Sequence, residues 1–123
     1  MDARLKSDPD QLMAVVGDFN DGPSSQALKF LNGPVGPTRF IDARPIEGYP
    51  GSFPRTGSGT EKRSSAWTHF FLDEDVYSRV DFILMNRPLS RLYRENQSYV
   101  LDFQDWGQAS DHRAVSATFE ISP

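Results

Sequence analysis

Short runs of apolar residues, separated by turn residues, predict several strands. Residues 12–16 are all apolar and end at Gly17, a pattern that is typical of a strand covered on both faces. Residues 66–71 are aromatic and β-prone, and we expect a further strand at about 97–103. These segments are too short to be independent helices, so strands are the better prediction.

Two further segments show the alternation of a half-exposed strand. In residues 79–85, the side chains of Val80, Phe82 and Leu84 fall on one side. Residues 114–121 alternate most clearly, because every second residue is apolar. These apolar residues are Val115, Ala117, Phe119 and Ile121. We therefore expect the last strand to have one exposed face.

One helix and one long loop are predicted between the strands. Ser24 or Ser25 can cap a helix that runs to about Leu31, and the Gly33-Pro34 pair stops it. Its apolar stripe consists of Ala27, Leu28 and Leu31. Residues 48–65 are rich in Gly, Pro, Ser and Thr, and they predict a long surface loop.

The balance of strands over helices predicts an α/β fold with a mixed, mainly antiparallel sheet and one or two helices. A chain of 123 residues fits one globular domain. It has no cysteine, so a metal would be held by oxygen or imidazole groups. No apolar run is long enough for a membrane span and no signal peptide is visible, so a soluble protein is expected, with the cytoplasm as the default location.

The net charge of −4 argues against a basic nucleic-acid-binding module. A nucleic acid is still a possible substrate, because bound cations can make a site on an acidic protein locally positive.

Three polar motifs lie at the ends of predicted strands or inside one. They contain Asp18 and Asn20, then Asp81, and then Asp111 and His112. An aspartate at a turn is ordinarily a turn former, so each motif alone is a weak sign of chemistry.

Asp81 differs from the other aspartates because its neighbours along the strand are apolar. Burying an unpaired carboxylate costs several kcal/mol, so Asp81 needs a partner. Arg79 is too close along the same strand to satisfy the Asp81 carboxylate completely, and we expect His112 to be its partner. A histidine held by a carboxylate keeps its proton and can donate to a negatively charged oxygen. Without that pairing, His112 is an ordinary histidine near a turn.

Asp18, Asn20 and Asp111 supply oxygen ligands of the kind that Mg²⁺ accepts, with water and a substrate phosphate in its remaining positions. Mn²⁺ is the alternative ion. Carboxylates, an amide and an imidazolium near one cation describe metal-assisted attack of water on phosphorus.

Together the three motifs resemble the C-terminal half of the endonuclease/exonuclease/phosphatase superfamily, which includes deoxyribonuclease I, exonuclease III, neutral sphingomyelinases and inositol-polyphosphate phosphatases. The motifs are Gly17 to Ser24, Ser78 to Leu84, and Ala109 to Val115. The resemblance covers about residues 12–121. It implies half of a four-layer α/β sandwich of the deoxyribonuclease I type, whose other half would carry an Asn and a metal-binding Glu that have no counterpart here. We therefore expect an exposed apolar sheet face, covered by that missing half or by a second copy of the chain.

The resemblance also implies a role for each motif residue. Asp18 would position or deprotonate the attacking water, and Asn20 would hydrogen-bond the phosphate. Asp111 would be associated with the metal. His112 would contact the scissile phosphate, with Asp81 as its partner. The implied reaction is Mg²⁺-dependent hydrolysis of a phosphodiester or phosphomonoester, weak or absent without the metal-binding Glu.

Two aromatic side chains in the segment 66–71 also have an expected role. Trp67 is expected to pack in the core rather than contact substrate, and His69 matches no family role and is expected to be structural or exposed.

One alternative function is a non-catalytic remnant or interaction domain that retains the fold. The other is a hydrolase with Asp18 and Asp81 as an acid/base pair, which leaves Asn20 and His112 unexplained.

Overall fold

The computed structural model describes residues 2–49, 67–71, 74, 76–103 and 105–122. Its helices are α1 (Asp2–Ser7), α2 (Gln26–Asn32) and α3 (Arg87–Ser90). Its strands are β1 (Ala14–Asp18), β2 (Ile41–Asp42), β3 (Ile46–Gly48), β4 (His69–Phe71), β5 (Val76–Ser78), β6 (Asp81–Met85), β7 (Tyr99–Leu101) and β8 (Val115–Ser116).

These strands form small, mainly antiparallel sheets. Within the described residues the sheet orders are β1-β6-β2, β3-β7-β8 and β4-β5. The parallel pair among them is β3 with β7. The predicted mixed α/β class is confirmed, although the described residues form three helices where one or two were expected, and several small sheets instead of one. In the part of the chain that is described, every helix falls short of the length and apolar character needed to cross a membrane.

One core cluster is formed by the β1-β6-β2 sheet and the helices α1 and α2. Phe82 and Leu84 of β6 pack there with Leu5 of α1 and Leu28 of α2. Both β6 side chains are almost fully buried, so the predicted apolar face of this strand is confirmed. Val15 of β1 packs against the same cluster.

The prediction that the first strand is covered on both faces is wrong. β1 lies at the edge of its sheet, with β6 as its neighbour among the described strands. Side chains alternate along a strand, so Val15 reaches the core while Ala14 and Val16 face away from it. Val16 is 65% exposed. On that face the exposed apolar residues of β1 are Ala14 and Val16, whereas Met85 of β6 is buried.

The predicted start and end of the helix between Ser25 and Gly33 are confirmed in α2. The Ser25 hydroxyl accepts a hydrogen bond from the Leu28 amide at 3.2 Å, and the Gly33 amide donates to the Phe30 carbonyl at 3.1 Å. Gly33 has φ = 77°, the left-handed region that favours glycine at a helix end. Of the predicted apolar stripe, Leu28 is buried but Ala27 is exposed.

The strand predicted over residues 114–121 is much shorter, because β8 ends at Ser116. Beyond that point the backbone bonds to the segment before β7. The Arg94 amide donates to the Thr118 carbonyl at 2.8 Å, and the Thr118 amide donates to the Ser98 hydroxyl at 2.9 Å. The chain therefore leaves the β7-β8 pairing, and Ile121 at its end is exposed.

Other strand predictions are correct in type but too long. The segments 66–71 and 97–103 contain β4 and β7, which are three residues each. The loop predicted over 48–65 lies outside the described residues from position 50 onward.

Candidate functional site

The β1–β6 pairing brings two predicted site residues together. Asp18 and Asp81 are register partners, so their side chains lie on the same face of the sheet. His112 reaches both carboxylates: Nδ1 is 2.8 Å from Asp81 Oδ2, and Nε2 is 3.8 Å from Asp18 Oδ2. Arg79 pairs with Asp42 instead, with Nη1 3.1 Å from Oδ1. The predicted Asp81–His112 pair is therefore present.

A buried threonine fixes the start of β6. The Thr68 side chain is 0% exposed, and its hydroxyl accepts hydrogen bonds from the amides of Val80 at 3.0 Å and Asp81 at 3.2 Å. The Thr68 carbonyl accepts a further bond from the Arg113 amide at 2.7 Å. Thr68 thus holds the backbone of Asp81 and the backbone next to His112 from one position.

Asp18 and Asn20 form a tight turn at the end of β1. The Asn20 amide donates to Asp18 Oδ1 at 2.8 Å, and Asn20 has φ = 52°, which asparagine tolerates better than most residues. This turn uses one oxygen of Asp18 and leaves Oδ2 on the side of His112. The turn and the predicted catalytic role therefore involve different atoms of the same carboxylate.

His69 belongs to the same cluster, although the motifs gave it no role. Its backbone forms a bridge with that of His112, and the two ring centroids are 4.5 Å apart. His69 Nε2 lies 3.3 Å from Asp111 Oδ2. The sequence predicted a strand containing His69, but which segment that strand would face could not be read from one sequence.

Arg113 anchors the segment that carries His112. It is buried, and its guanidinium lies 4.0 Å from the ring centroid of Trp67. It also pairs with Glu47 at 2.8 Å and with Asp102 at 2.6 Å. Trp67 is half-buried and lies outside the two core clusters, so its predicted place in the core is wrong; the guanidinium is one of its partners. These contacts join the His112 segment to β3 and to the end of β7.

The surroundings of His112 favour its protonated form. The hydrogen bond to Asp81 raises the pKa of His112 above its usual range. The charges of Asp81, Asp18 and Asp111 act in the same direction, and partial burial opposes them. Because an ionised carboxylate only accepts hydrogen bonds, the proton on Nδ1 is fixed by Asp81. The other N–H of the imidazolium is on Nε2.

Replacing Asp81 by asparagine is expected to lower the pKa of His112, because the hydrogen bond to a carboxylate and its charge are both removed. Asp18→Asn should lower it less, since only a weaker electrostatic contribution is lost. NMR titration of the imidazole signals measures both shifts. An unchanged pKa in Asp81→Asn would contradict the assigned cause.

The same raised pKa sets the sign of the effect on stability. A histidine that binds its proton more tightly in the folded state stabilises the fold fully below its unfolded pKa of about 6.5. That contribution is lost as the pH rises through the higher folded pKa. The stability difference between wild type and Asp81→Asn should therefore shrink from mildly acidic to alkaline pH, as measured by denaturant unfolding. A difference that grows with pH would contradict this.

Among the residues that the structure describes, two groups of side chains have ligand atoms close enough to hold a metal. In each group these atoms lie within 4.8 Å of one another; one is Asp18, Asp81 and His112, and the other is His69, Asp111 and His112. The predicted oxygen ligands Asp18 and Asp111 thus fall in different groups that share His112. Their side chains are 39% and 73% exposed, so their oxygens are accessible to a hydrated ion such as Mg²⁺, which keeps several waters.

A shallow groove of about 360 Å³ runs beside the two carboxylates of β1 and β6. Asp18 and Asp81 line it together with the apolar side chains of Val16, Ile83 and Val115. A ligand in this groove would contact an exposed apolar strip and two carboxylates.

Comparison of the chain with protein-family models, with curated proteins and with solved structures finds no match.

Proposed function

We propose that the chain is a metal-dependent phosphoesterase that hydrolyses a phosphodiester or phosphomonoester by direct attack of water. The observation that carries the proposal is the array in which His112 is hydrogen-bonded to Asp81 and faces Asp18. The resemblance of three motifs to the endonuclease/exonuclease/phosphatase superfamily supports it. Under this proposal the described sheets are part of a sandwich of the deoxyribonuclease I type.

His112 and Asp81 act as one unit in the proposed reaction. Asp81 holds the proton on Nδ1, so the imidazolium presents its Nε2–H outward. A positively charged donor stabilises the charge that develops on a phosphoryl oxygen in the transition state. Asp81 orients the ring and keeps it charged.

Asp18 is placed to handle the attacking water. Its Oδ1 is held by the turn to Asn20, while Oδ2 faces the same side as His112 Nε2. A fixed, half-exposed carboxylate can accept a hydrogen bond from water and receive its proton. The side-chain NH₂ group of Asn20 would donate to a substrate oxygen at the same corner.

The accessible carboxylates of Asp18 and Asp111 would hold Mg²⁺ or Mn²⁺. A bound divalent ion would neutralise charge on the phosphoryl oxygens and lower the pKa of water. Oxygen donors exposed to solvent fit such an ion, since it takes one or two carboxylates and fills its other positions with water and phosphate.

A second candidate function is an interaction domain that has the fold without the activity. The exposed Val16 face of β1, at the edge of its sheet, favours it. An edge strand offers unpaired backbone groups to another chain.

The two functions are separated by an assay of the purified, untagged chain with bis-nitrophenyl phosphate and nitrophenyl phosphate. The phosphoesterase should release nitrophenol slowly, because the metal-binding Glu of the superfamily has no counterpart here, but above the rate of the metal alone in Mg²⁺ or Mn²⁺, and a chelator should abolish the release. A folded protein that is inactive on both esters with either ion would overturn the hydrolytic proposal in favour of the interaction domain.

A further inference from the structure

We propose that His69, Asp111 and His112 bind a transition-metal ion of the Zn²⁺ class. This site adds two imidazoles to Asp111, which is also one of the oxygen donors proposed above for Mg²⁺. It includes His69, which the proposed hydrolysis does not use. The proposal concerns binding of the ion and does not depend on whether the chain hydrolyses phosphate esters.

The spacing of the donor atoms suits a small tetrahedral ion. With bonds of about 2.0–2.2 Å, zinc holds its ligand atoms roughly 3.3 Å apart. His69 Nε2 and Asp111 Oδ2 are already 3.3 Å apart, and His69, Asp111 and His112 each have one ligand atom within 4.8 Å of those of the other two. Small side-chain rotations would bring all three donors onto one ion, because the backbones of His69 and His112 are already bridged.

The hydrogen bond between Asp81 and His112 suits a metal ligand as well. A metal-bound histidine usually donates its other ring N–H to a carboxylate, which fixes the ring and makes the free nitrogen a better donor. Here Asp81 Oδ2 accepts from Nδ1 at 2.8 Å. Nε2 is therefore the nitrogen that His112 offers to an ion, which would replace the proton there.

The chemistry of the donors selects the ion. Imidazole suits Zn²⁺, Co²⁺, Ni²⁺ and Cu²⁺, whereas Mg²⁺ prefers oxygen. The chain has two histidines and no cysteine, and both histidines lie in this cluster. Asp111 brings one negative charge and is largely exposed, so an ion can enter from solvent and keep a water in its fourth position.

The test is titration of the untagged, chelator-treated chain with Co²⁺ and Zn²⁺, with no phosphate ester present. Co²⁺ should bind one to one and give the intense visible bands of four-coordinate cobalt, and Zn²⁺ should displace it. NMR should show both imidazole rings perturbed by Zn²⁺, and the chain's two histidines make this unambiguous.

Three variants and one control sharpen the test. His69→Gln and Asp111→Asn should each weaken Zn²⁺ binding at least tenfold, and Asp81→Asn should weaken it by roughly tenfold to a hundredfold through the orientation of His112. Asp105→Asn, an exposed carboxylate outside both groups, should leave the affinity unchanged. Because Asp111 is largely exposed, its variant keeps the test valid if His69→Gln does not fold.

Several results would overturn the proposal. These are perturbation of one ring alone, the weak absorption of six-coordinate cobalt, or wild-type affinity in a folded His69→Gln or Asp111→Asn. Since no ester is present, Zn²⁺ binding can succeed or fail independently of the hydrolysis assay.

Discussion

Replacing His112 by glutamine is expected to lower the kcat of metal-dependent ester hydrolysis by about 10²–10³-fold, the loss typical for one donor to a developing oxyanion. Glutamine keeps a neutral N–H group but lacks the positive charge that the Asp81 carboxylate maintains on the imidazole. The loss should appear in kcat more than in KM, because charge on the phosphoryl oxygens grows toward the transition state. Steady-state kinetics on the nitrophenyl esters measure it.

Control variants show whether the lower kcat of His112→Gln comes from the missing donor or from a change in the fold. Asp10→Asn changes an exposed carboxylate in the segment before β1 and should retain full activity. Asp18→Asn should be as inactive as the His112 variant if Asp18 handles the water. Turnover of His112→Gln within a few-fold of wild type, in a protein with unchanged unfolding behaviour, would show that His112 is not the donor.

Replacing Thr68 by valine is expected to lower the free energy of unfolding by about 2–4 kcal/mol. The two side chains have nearly the same shape, but valine has no acceptor for the amides of Val80 and Asp81. Each buried N–H group that loses its partner costs about 1–3 kcal/mol. Denaturant unfolding measures the change, which is a large share of the stability of a small domain.

Thr68→Ser is the matched control, since it keeps the acceptor and removes one methyl group. Its expected loss is about 1 kcal/mol, the usual value for one buried carbon. If the valine variant were as stable as the serine variant, the two hydrogen bonds would not be what holds the start of β6. The valine variant should also shift the NMR signal of His112, because Asp81 would no longer be fixed.

Features that depend on neighbouring residues were readable from the sequence. The ends of α2 follow from Ser25 and Gly33, and the buried face of β6 follows from its alternation. The Asp81–His112 pair could also be predicted, because a carboxylate among apolar residues must find a partner and the motifs offered one histidine. In each case the physical requirement is local, or it has one plausible solution.

Features that depend on which segments of the chain pair with one another could not be predicted from the sequence. Whether β1 is central or at an edge depends on which strands lie beside it, and its apolar run is the same in either position. β8 ends at Ser116 because Thr118 bonds instead to the Ser98 hydroxyl and to the Arg94 amide. His69 lies in the site because its backbone is bridged to that of His112. No spacing in the sequence specifies this bridge.

The pairing of β1 with β6 also sets the order in which the protein can form during its synthesis. The bond between the Met13 amide and the Asn86 side chain spans 73 residues, and the bond between Asp81 and His112 spans 31. Contacts so distant along the chain make folding slow compared with that of helical proteins. Until β6 has been made, β1 therefore lacks its partner among the described strands, and its valines and open edge favour association with other chains.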